Sequence, residues 1–188
     1  MINYEKEIES FRLETSRVVK AMFEETGSVD PVLFALVFKD NKFGVAVLGG
    51  LEQFFISDKG KEAVAVLMRK FNEETKAVAT AFASEGWMSV FEKGDYPVDE
   101  EGYYTNPSMR PSLDPKRKEV LNISFETHDK KAFECWEVVR KDDEASLEET
   151  TYSLGWEPKT DDTRGTFMDL LKENYDHISR LMKDISLN

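Results

Sequence analysis

Glu85 is the side chain whose setting could best support chemistry in this sequence. It follows an apolar, strand-like run, Gly86 after it permits a bend, and Trp87 adds a large amphipathic ring. A carboxylate at the end of a strand can serve as a general acid, a general base or a metal ligand. Such a site needs a second acid opposite Glu85, for which Glu119 and Glu126 are the strand-borne candidates. One hypothesis is therefore a small hydrolase or nuclease-like enzyme with a carboxylate site near Glu85.

The main basic island of the chain lies downstream of Glu85 and supplies a competing interpretation. It consists of Arg110, Lys116, Arg117 and Lys118. If the intervening loop folds back, we expect Arg117 to form an ion pair with Glu85 or Glu119. Because structural ion pairs create the same arrangement as catalytic ones, a brace for the loop is favoured over a catalytic role.

The connection from Glu92 to Lys118 is long, rich in proline and dotted with tyrosines. Loops on a rigid scaffold commonly carry binding sites, and the prolines restrict the backbone, so we expect partial order here. The tyrosines either anchor the loop on the core or contact a partner. The predicted binding residues are Glu85, Trp87, Tyr103, Tyr104, Arg110 and Arg117.

Other catalytic and metal-binding patterns are not found in the sequence. The two histidines, His128 and His177, are far apart and lack zinc-ligand spacing. Cys135 lies within a predicted strand, where a thiol is usually a small buried hydrophobe. The run Gly49-Gly50 lacks the remainder of a phosphate-binding motif. We therefore predict no catalytic residue set, no metal and no cofactor.

Composition describes an acidic globular protein. The 188 residues are 40% hydrophobic and 33% charged, with 37 acidic and 25 basic residues and a net charge of −12. Such a field repels phosphate backbones, so we expect no direct nucleic-acid binding and favour a protein partner, of basic character. A single cysteine suits a reducing compartment, and no apolar run is long enough for a bilayer, so we predict a cytoplasmic protein without membrane contact. The oligomeric state stays open.

Hydrophobic periodicity predicts one α+β domain over residues 1–188, with the long loop at about 92–118. Helices are predicted over Tyr4 to Thr26, over Lys59 to Glu74 with Asp58 as its cap, and after Thr160 or Asp162. Strands are predicted to start near Val32, Phe43, Val78, Val120 and Phe133, with an optional short edge strand over Thr150 to Leu154. This order favours a mainly antiparallel sheet of about five strands packed with three helices.

Side-chain alternation predicts which face of each strand is buried. The strand from Val32 to Phe38 is apolar on both faces, so it should lie inside the sheet. Four alternating alanines, Ala77, Ala79, Ala81 and Ala83, predict a shallow, close-packed face. In the strand after the loop, Leu121, Ile123 and Phe125 should face inward, and Asn122, Ser124 and Glu126 outward.

Two segments together resemble a set of uncharacterised small bacterial and phage proteins. The matching residues are Ser84, Glu85, Trp87, Met88 and Ser89, followed after the proline-rich loop by Pro115, Arg117, Lys118, Glu119 and Val120. The resemblance implies a phage or prophage origin and that the two segments belong together structurally. It implies no activity.

The favoured hypothesis is a non-catalytic, acidic protein-binding or regulatory protein. In one version the acidic surface mimics nucleic acid and blocks a basic host protein, and in another the protein is a chaperone for a basic client. The enzyme with a carboxylate site near Glu85 is the alternative.

Overall fold

The computed structural model describes residues 3–88, 117–142, 144–159 and 170–171, which form two α-helices and six strands. In chain order they are helix α1 (Tyr4–Thr26), strands β1 (Val32–Lys39) and β2 (Lys42–Leu48), helix α2 (Asp58–Thr75), and strands β3 (Ala77–Met88), β4 (Lys118–Glu126), β5 (Lys130–Lys141) and β6 (Glu144–Pro158). A one-turn 3₁₀ helix, Glu52–Phe54, precedes α2. The predicted third helix and most of the predicted loop lie outside the described residues.

The six strands form one sheet in the order β2-β1-β3-β4-β5-β6, and every neighbouring pair is antiparallel. The predicted α+β fold with an antiparallel sheet is confirmed, but the predicted number of about five strands is corrected to six in the described residues. The sequence suggested only a short optional strand, whereas β6 is 15 residues long. The acidic residues of this segment suggested a loop. An edge strand can carry them as well, because it can keep charged side chains in solvent.

Helix α1 covers one face of the sheet and α2 covers the other. Phe34 of β1 packs in the same cluster as Phe23 of α1, whereas the neighbouring Leu33 packs with Met68 of α2. Successive strand residues point to opposite faces, so the two helices lie on opposite sides. The prediction that β1 is an interior strand, apolar on both faces, is confirmed by its position between β2 and β3.

A bulge in β3 changes the predicted alanine face. The register between β1 and β3 shifts where Leu36 and Val37 meet β3, which inserts Val78 as an extra residue. Ala79, Ala81 and Ala83 remain on the α1 side and are fully buried there. Ala77 instead packs on the α2 side. The close-packed face therefore consists of three of the four alanines, because a one-residue insertion reverses the alternation.

Helix α2 begins one residue earlier than the sequence suggested. Ser57, and not Asp58, is the N-cap, and its hydroxyl accepts a hydrogen bond from the amide of Gly60 at 3.1 Å. Gly60 also permits a close approach, since a β-carbon there would collide with the backbone carbonyl of Phe54. The glycine that weakens the first turn is thus needed to pack the preceding 3₁₀ helix against α2.

Glu126 of β4 is buried, although alternation predicted it to face solvent. Only 1% of it is exposed, and one carboxylate oxygen lies 3.1 Å from Nζ of Lys159. The same oxygen accepts a hydrogen bond from the amide of Leu170, whose carbonyl accepts one from Asn72. The α2 side of β4 is therefore covered, and a lysine compensates the buried charge.

Candidate functional site

Glu85 lies near the end of β3 on the α1 side of the sheet, and both of its carboxylate oxygens are engaged. Oε1 accepts a hydrogen bond from the backbone amide of Val29 at 2.5 Å. Oε2 lies 2.9 Å from Nη2 of Arg140, which comes from β5. The strand end predicted to present a reactive carboxylate thus presents one that is tied to the α1–β1 connection and to β5.

Arg140 joins four parts of the chain through one guanidinium group. Besides Glu85, it contacts Glu119 of β4, with Nη2 at 2.9 Å and Nε at 3.1 Å from the same oxygen. Its Nη1 donates to the carbonyl of Gly27, just after α1, at 2.8 Å. We call Glu85, Glu119 and Arg140 the Arg140 brace.

The electrostatics of Glu85 reflect this position. Burial raises the pKa of the Glu85 carboxyl above its usual value, and the neighbouring carboxylate of Glu119 adds to the rise. The amide of Val29 and the charge of Arg140 act in the opposite direction. Hydrogen bonding to Glu119 raises the pKa of Arg140 in turn, which keeps the guanidinium charged. A half-buried acid already bound to a cation is better suited to holding strands together than to transferring protons.

Arg140 occupies the position that the sequence assigned to Arg117. The guanidinium carbon of Arg117 instead lies 4.4 Å from the ring centre of Trp87, a cation–π arrangement. Trp87 is 46% exposed and pairs in register with Glu119, so the aromatic ring borders the brace at the surface. Sequence reasoning missed Arg140 because it looked for a cation in the loop. The register of the β4–β5 hairpin was the signal that could have found it.

The remaining predicted site residues divide into two groups. Tyr103, Tyr104 and Arg110 lie outside the described residues. Glu119 belongs to the brace and Glu126 to the buried contact with Lys159.

Metal and thiol chemistry find no support in the described part of the chain. Within it, no group of three histidine, cysteine, aspartate or glutamate side chains is arranged to hold a metal ion. Burial raises the pKa of Cys135 to about 11, so its thiol stays protonated near neutral pH.

Neither α1 nor α2 is long and apolar enough to cross a membrane.

A second surface was not anticipated from the sequence: the outer edge of β2 and the groove beside it. The groove has a volume of about 400 Å³ and lies between α1 and the β1–β2 hairpin. Its apolar lining includes Phe11 of α1, Phe34 of β1, and Val45 and Val47 of β2. The two valines are 55% and 56% exposed, which is high for apolar residues in a strand. Two acidic residues of α1, Glu7 and Glu14, also line this groove. We call this surface the β2 groove.

The two edges of the sheet differ in how they are protected. In the described residues, no strand pairs with the outer edge of β2, and no register shift interrupts its pairing with β1. Its sequence, KFGVAVL, contains one charged residue, at its first position. By contrast, the pairing of β6 with β5 contains three register shifts, and β6 carries several glutamates and ends at a proline. Bulges, charges and proline are the usual means of preventing strand addition, so among the described residues β6 is protected and the outer edge of β2 is unpaired.

Comparison with known proteins adds no relative to this description. No protein-family model, no curated protein and no solved structure matches this chain. The resemblance to small bacterial and phage proteins therefore stays a prediction.

Proposed function

We propose that this protein is a non-catalytic binding protein that takes up an extended segment of a partner protein along the outer edge of β2. The observation that carries the proposal is the apolar outer edge of β2, which no described strand covers, beside an apolar groove in a sheet whose other edge is protected. An edge strand offers a row of backbone donors and acceptors, and adding a strand satisfies them.

The chemistry of the β2 groove defines the partner segment. A strand added to β2 places every second side chain on the α1 side, next to Val45 and Val47, so these side chains should be apolar. Glu7 and Glu14 border the groove, and the net charge of −12 attracts cations over a longer range. The preferred segment is therefore extended, with alternating apolar residues and flanking lysine or arginine. A second copy of this chain fits less well, because it carries the same acidic residues.

The state of Glu85 supports binding over hydrolysis. A general acid or base needs an oxygen that can reach a substrate proton. The two oxygens of Glu85 are held by Val29 and Arg140, and the other candidate acids are held in ion pairs. The partner is still a basic protein, as the sequence predicts, but it contacts the β2 groove and not the loop.

The test uses three seven-residue peptides and isothermal titration calorimetry. The first has the sequence Lys-Val-Thr-Val-Thr-Val-Lys, the second replaces both lysines by glutamates, and the third carries N-methyl groups on alternate backbone amides. We expect the first to bind, the second to bind more weakly at low salt, and the third to fail. N-methylation removes the donors that a strand needs, while leaving the side chains unchanged.

Val45→Lys should reduce the affinity for the first peptide by about tenfold or more, equivalent to about 1.4 kcal/mol. Val66→Lys is the matched control, because Val66 is 63% exposed on α2 and receives the same charge away from the β2 groove. Equal losses in both variants, or binding of the N-methylated peptide, would contradict strand addition. A dimer that Val45→Lys dissociates would identify a second copy as the occupant. Loss of binding in Trp87→Ala alone would move the site to the Trp87–Arg117 surface.

A further inference from the structure

A separate cavity of about 320 Å³ lies where α1 begins, and it plays no part in the β2 groove. It is lined by the first turns of α1, by the bulge residue Val78 of β3, by the β4–β5 loop, and by Trp156 near the end of β6. This volume falls at the lower end of the range of small-molecule sites. The cavity is therefore large enough for a small organic molecule.

The inner wall of this cavity is aromatic and aliphatic, and contacts behind it hold the rings in place. Tyr4, Ile8, Val78 and Trp156 provide the apolar lining. Trp156 donates its indole N–H to Oε2 of Glu9 at 2.8 Å, which fixes the orientation of the ring. Tyr4 is held by edge contacts with two phenylalanine rings, at centroid distances of 5.2 and 4.9 Å. Aromatic walls that are fixed in advance favour binding, because little side-chain freedom is lost.

The charged residues around the cavity are mostly acidic. Glu5, Glu9 and Asp129 line it, whereas Lys130 is the one lysine or arginine among its described lining residues. Glu9 forms an ion pair with Arg12, and Glu5 forms a longer one with Lys130, at 3.8 Å. Asp129 lies in the β4–β5 loop, with its side chain 55% exposed and its Oδ1 3.5 Å from Nδ1 of His128, which also lines the cavity.

We infer that this cavity binds an organic ammonium ion: a compact aromatic or branched apolar body that carries a protonated amine. The apolar body occupies the space between Tyr4 and Trp156, where aromatic faces also attract a cation. The ammonium group lies toward the carboxylates of Asp129 and Glu5. The net charge of −12 raises the local concentration of such a ligand.

An anionic ligand is the main competitor, because the positive end of the α1 dipole lies at this cavity. That end is already compensated. Asn3 caps the helix by accepting a hydrogen bond from the amide of Lys6, and Glu5 and Glu7 lie in the first turn. The acidic residues therefore determine the sign of the preferred ligand.

Three probes of similar shape and different charge test this inference: phenethylammonium, 2-phenylethanol and phenylacetate. Each is titrated into the ¹⁵N-labelled full chain, and the shifts of the β4–β5 loop amides and of the Trp156 indole N–H are followed. We expect saturable shifts with phenethylammonium, weaker binding of the alcohol, and no binding of phenylacetate. Equal binding of the alcohol, preference for phenylacetate, or no saturable shift with phenethylammonium would each overturn the inference.

Two variants with opposite expected effects separate a charge contribution from a structural one. Asp129→Asn should weaken phenethylammonium binding about threefold, and Lys130→Met should strengthen it by a similar factor, as expected for partly exposed charges. The asparagine can still accept the hydrogen bond that Thr127 donates to Asp129. Asp142→Asn, in the β5–β6 turn, is the matched control and should change nothing. A weakening in both pocket variants, or an effect of Asp142→Asn, would count against the charge assignment.

Discussion

Replacing Arg140 by methionine should destabilise the protein by about 2 kcal/mol, because it removes the shared cation of the Arg140 brace. Breaking one side of a fully buried ion pair costs about 3–5 kcal/mol, and an exposed pair contributes about 0–1 kcal/mol. The Glu85 side chain is 20% exposed and that of Arg140 is 43% exposed, so solvent screens part of the interaction. The expected value therefore lies between the two limits. It corresponds to a decrease in Tm of roughly 4–8 °C for a chain of this size.

The stability deficit of Arg140→Met should also depend on pH. Burial raises the pKa of Glu85 in the folded protein above the pKa in the unfolded chain, which is about 4.3. The contribution of Glu85 to stability is therefore fully present below about pH 4.3, and it is lost as the pH rises through the folded pKa. Removing Arg140 removes an influence that lowers this pKa, so the folded pKa rises further. The deficit of the variant relative to the wild type should therefore be smaller near pH 4 than at pH 7.

Urea unfolding at several pH values, followed by circular dichroism, measures both quantities. Arg17→Met is the matched control, because Arg17 pairs with Glu14 on the exposed face of α1. Its unfolding midpoint should not change. Unfolding of Arg140→Met at the wild-type urea concentration, or a stability deficit that is the same at both pH values, would contradict the role assigned to the Arg140 brace.

Two further predictions concern packing and reactivity. Gly60→Ala should destabilise by roughly 1–3 kcal/mol despite the better helix propensity of alanine, because the added methyl group meets the carbonyl of Phe54, and urea unfolding measures this loss. Gly49→Ala, with open space around it, is the control, and equal effects of the two changes would contradict a steric cause. Cys135 should react slowly with Ellman's reagent at about pH 8 in the native state and rapidly after unfolding, since its raised pKa and burial keep the thiol protonated and covered. Rapid labelling of the native protein would show that the thiol is accessible.

The candidate sites illustrate how far sequence reasoning reaches. The sequence grouped the strand end at Glu85, its carboxylate and the neighbouring Trp87 in one cluster, because they are close in sequence. Its cation was not identified, because Arg140 reaches the cluster through strand pairing across β4 and β5. The β2 groove was missed for a related reason. The sequence of β2 indicates an apolar strand, but its position at the edge depends on which strand pairs on its other side.

Local sequence patterns are sufficient to predict helix α1 and the turn between β1 and β2. The helix from Tyr4 to Thr26 has the predicted bounds, with Gly27 in the left-handed conformation after it. Asp40 and Asn41, residue types that tolerate positive φ, form the turn between β1 and β2, both with positive φ. Helix periodicity, capping and turn chemistry depend on residues a few positions apart, so they can be inferred from the sequence.

Tertiary structure alone determined the burial of Glu126, the reversal of Ala77 by the β3 bulge, the length of β6 and the position of β2 at the edge of the described sheet. Each depends on strand order and register, which join residues that are distant in sequence. A one-residue shift in register exchanges the two faces of a strand, and the same apolar sequence can occupy an interior or an edge position. The elements are therefore local properties of this chain, whereas its binding surfaces arise from the order in which the strands pair.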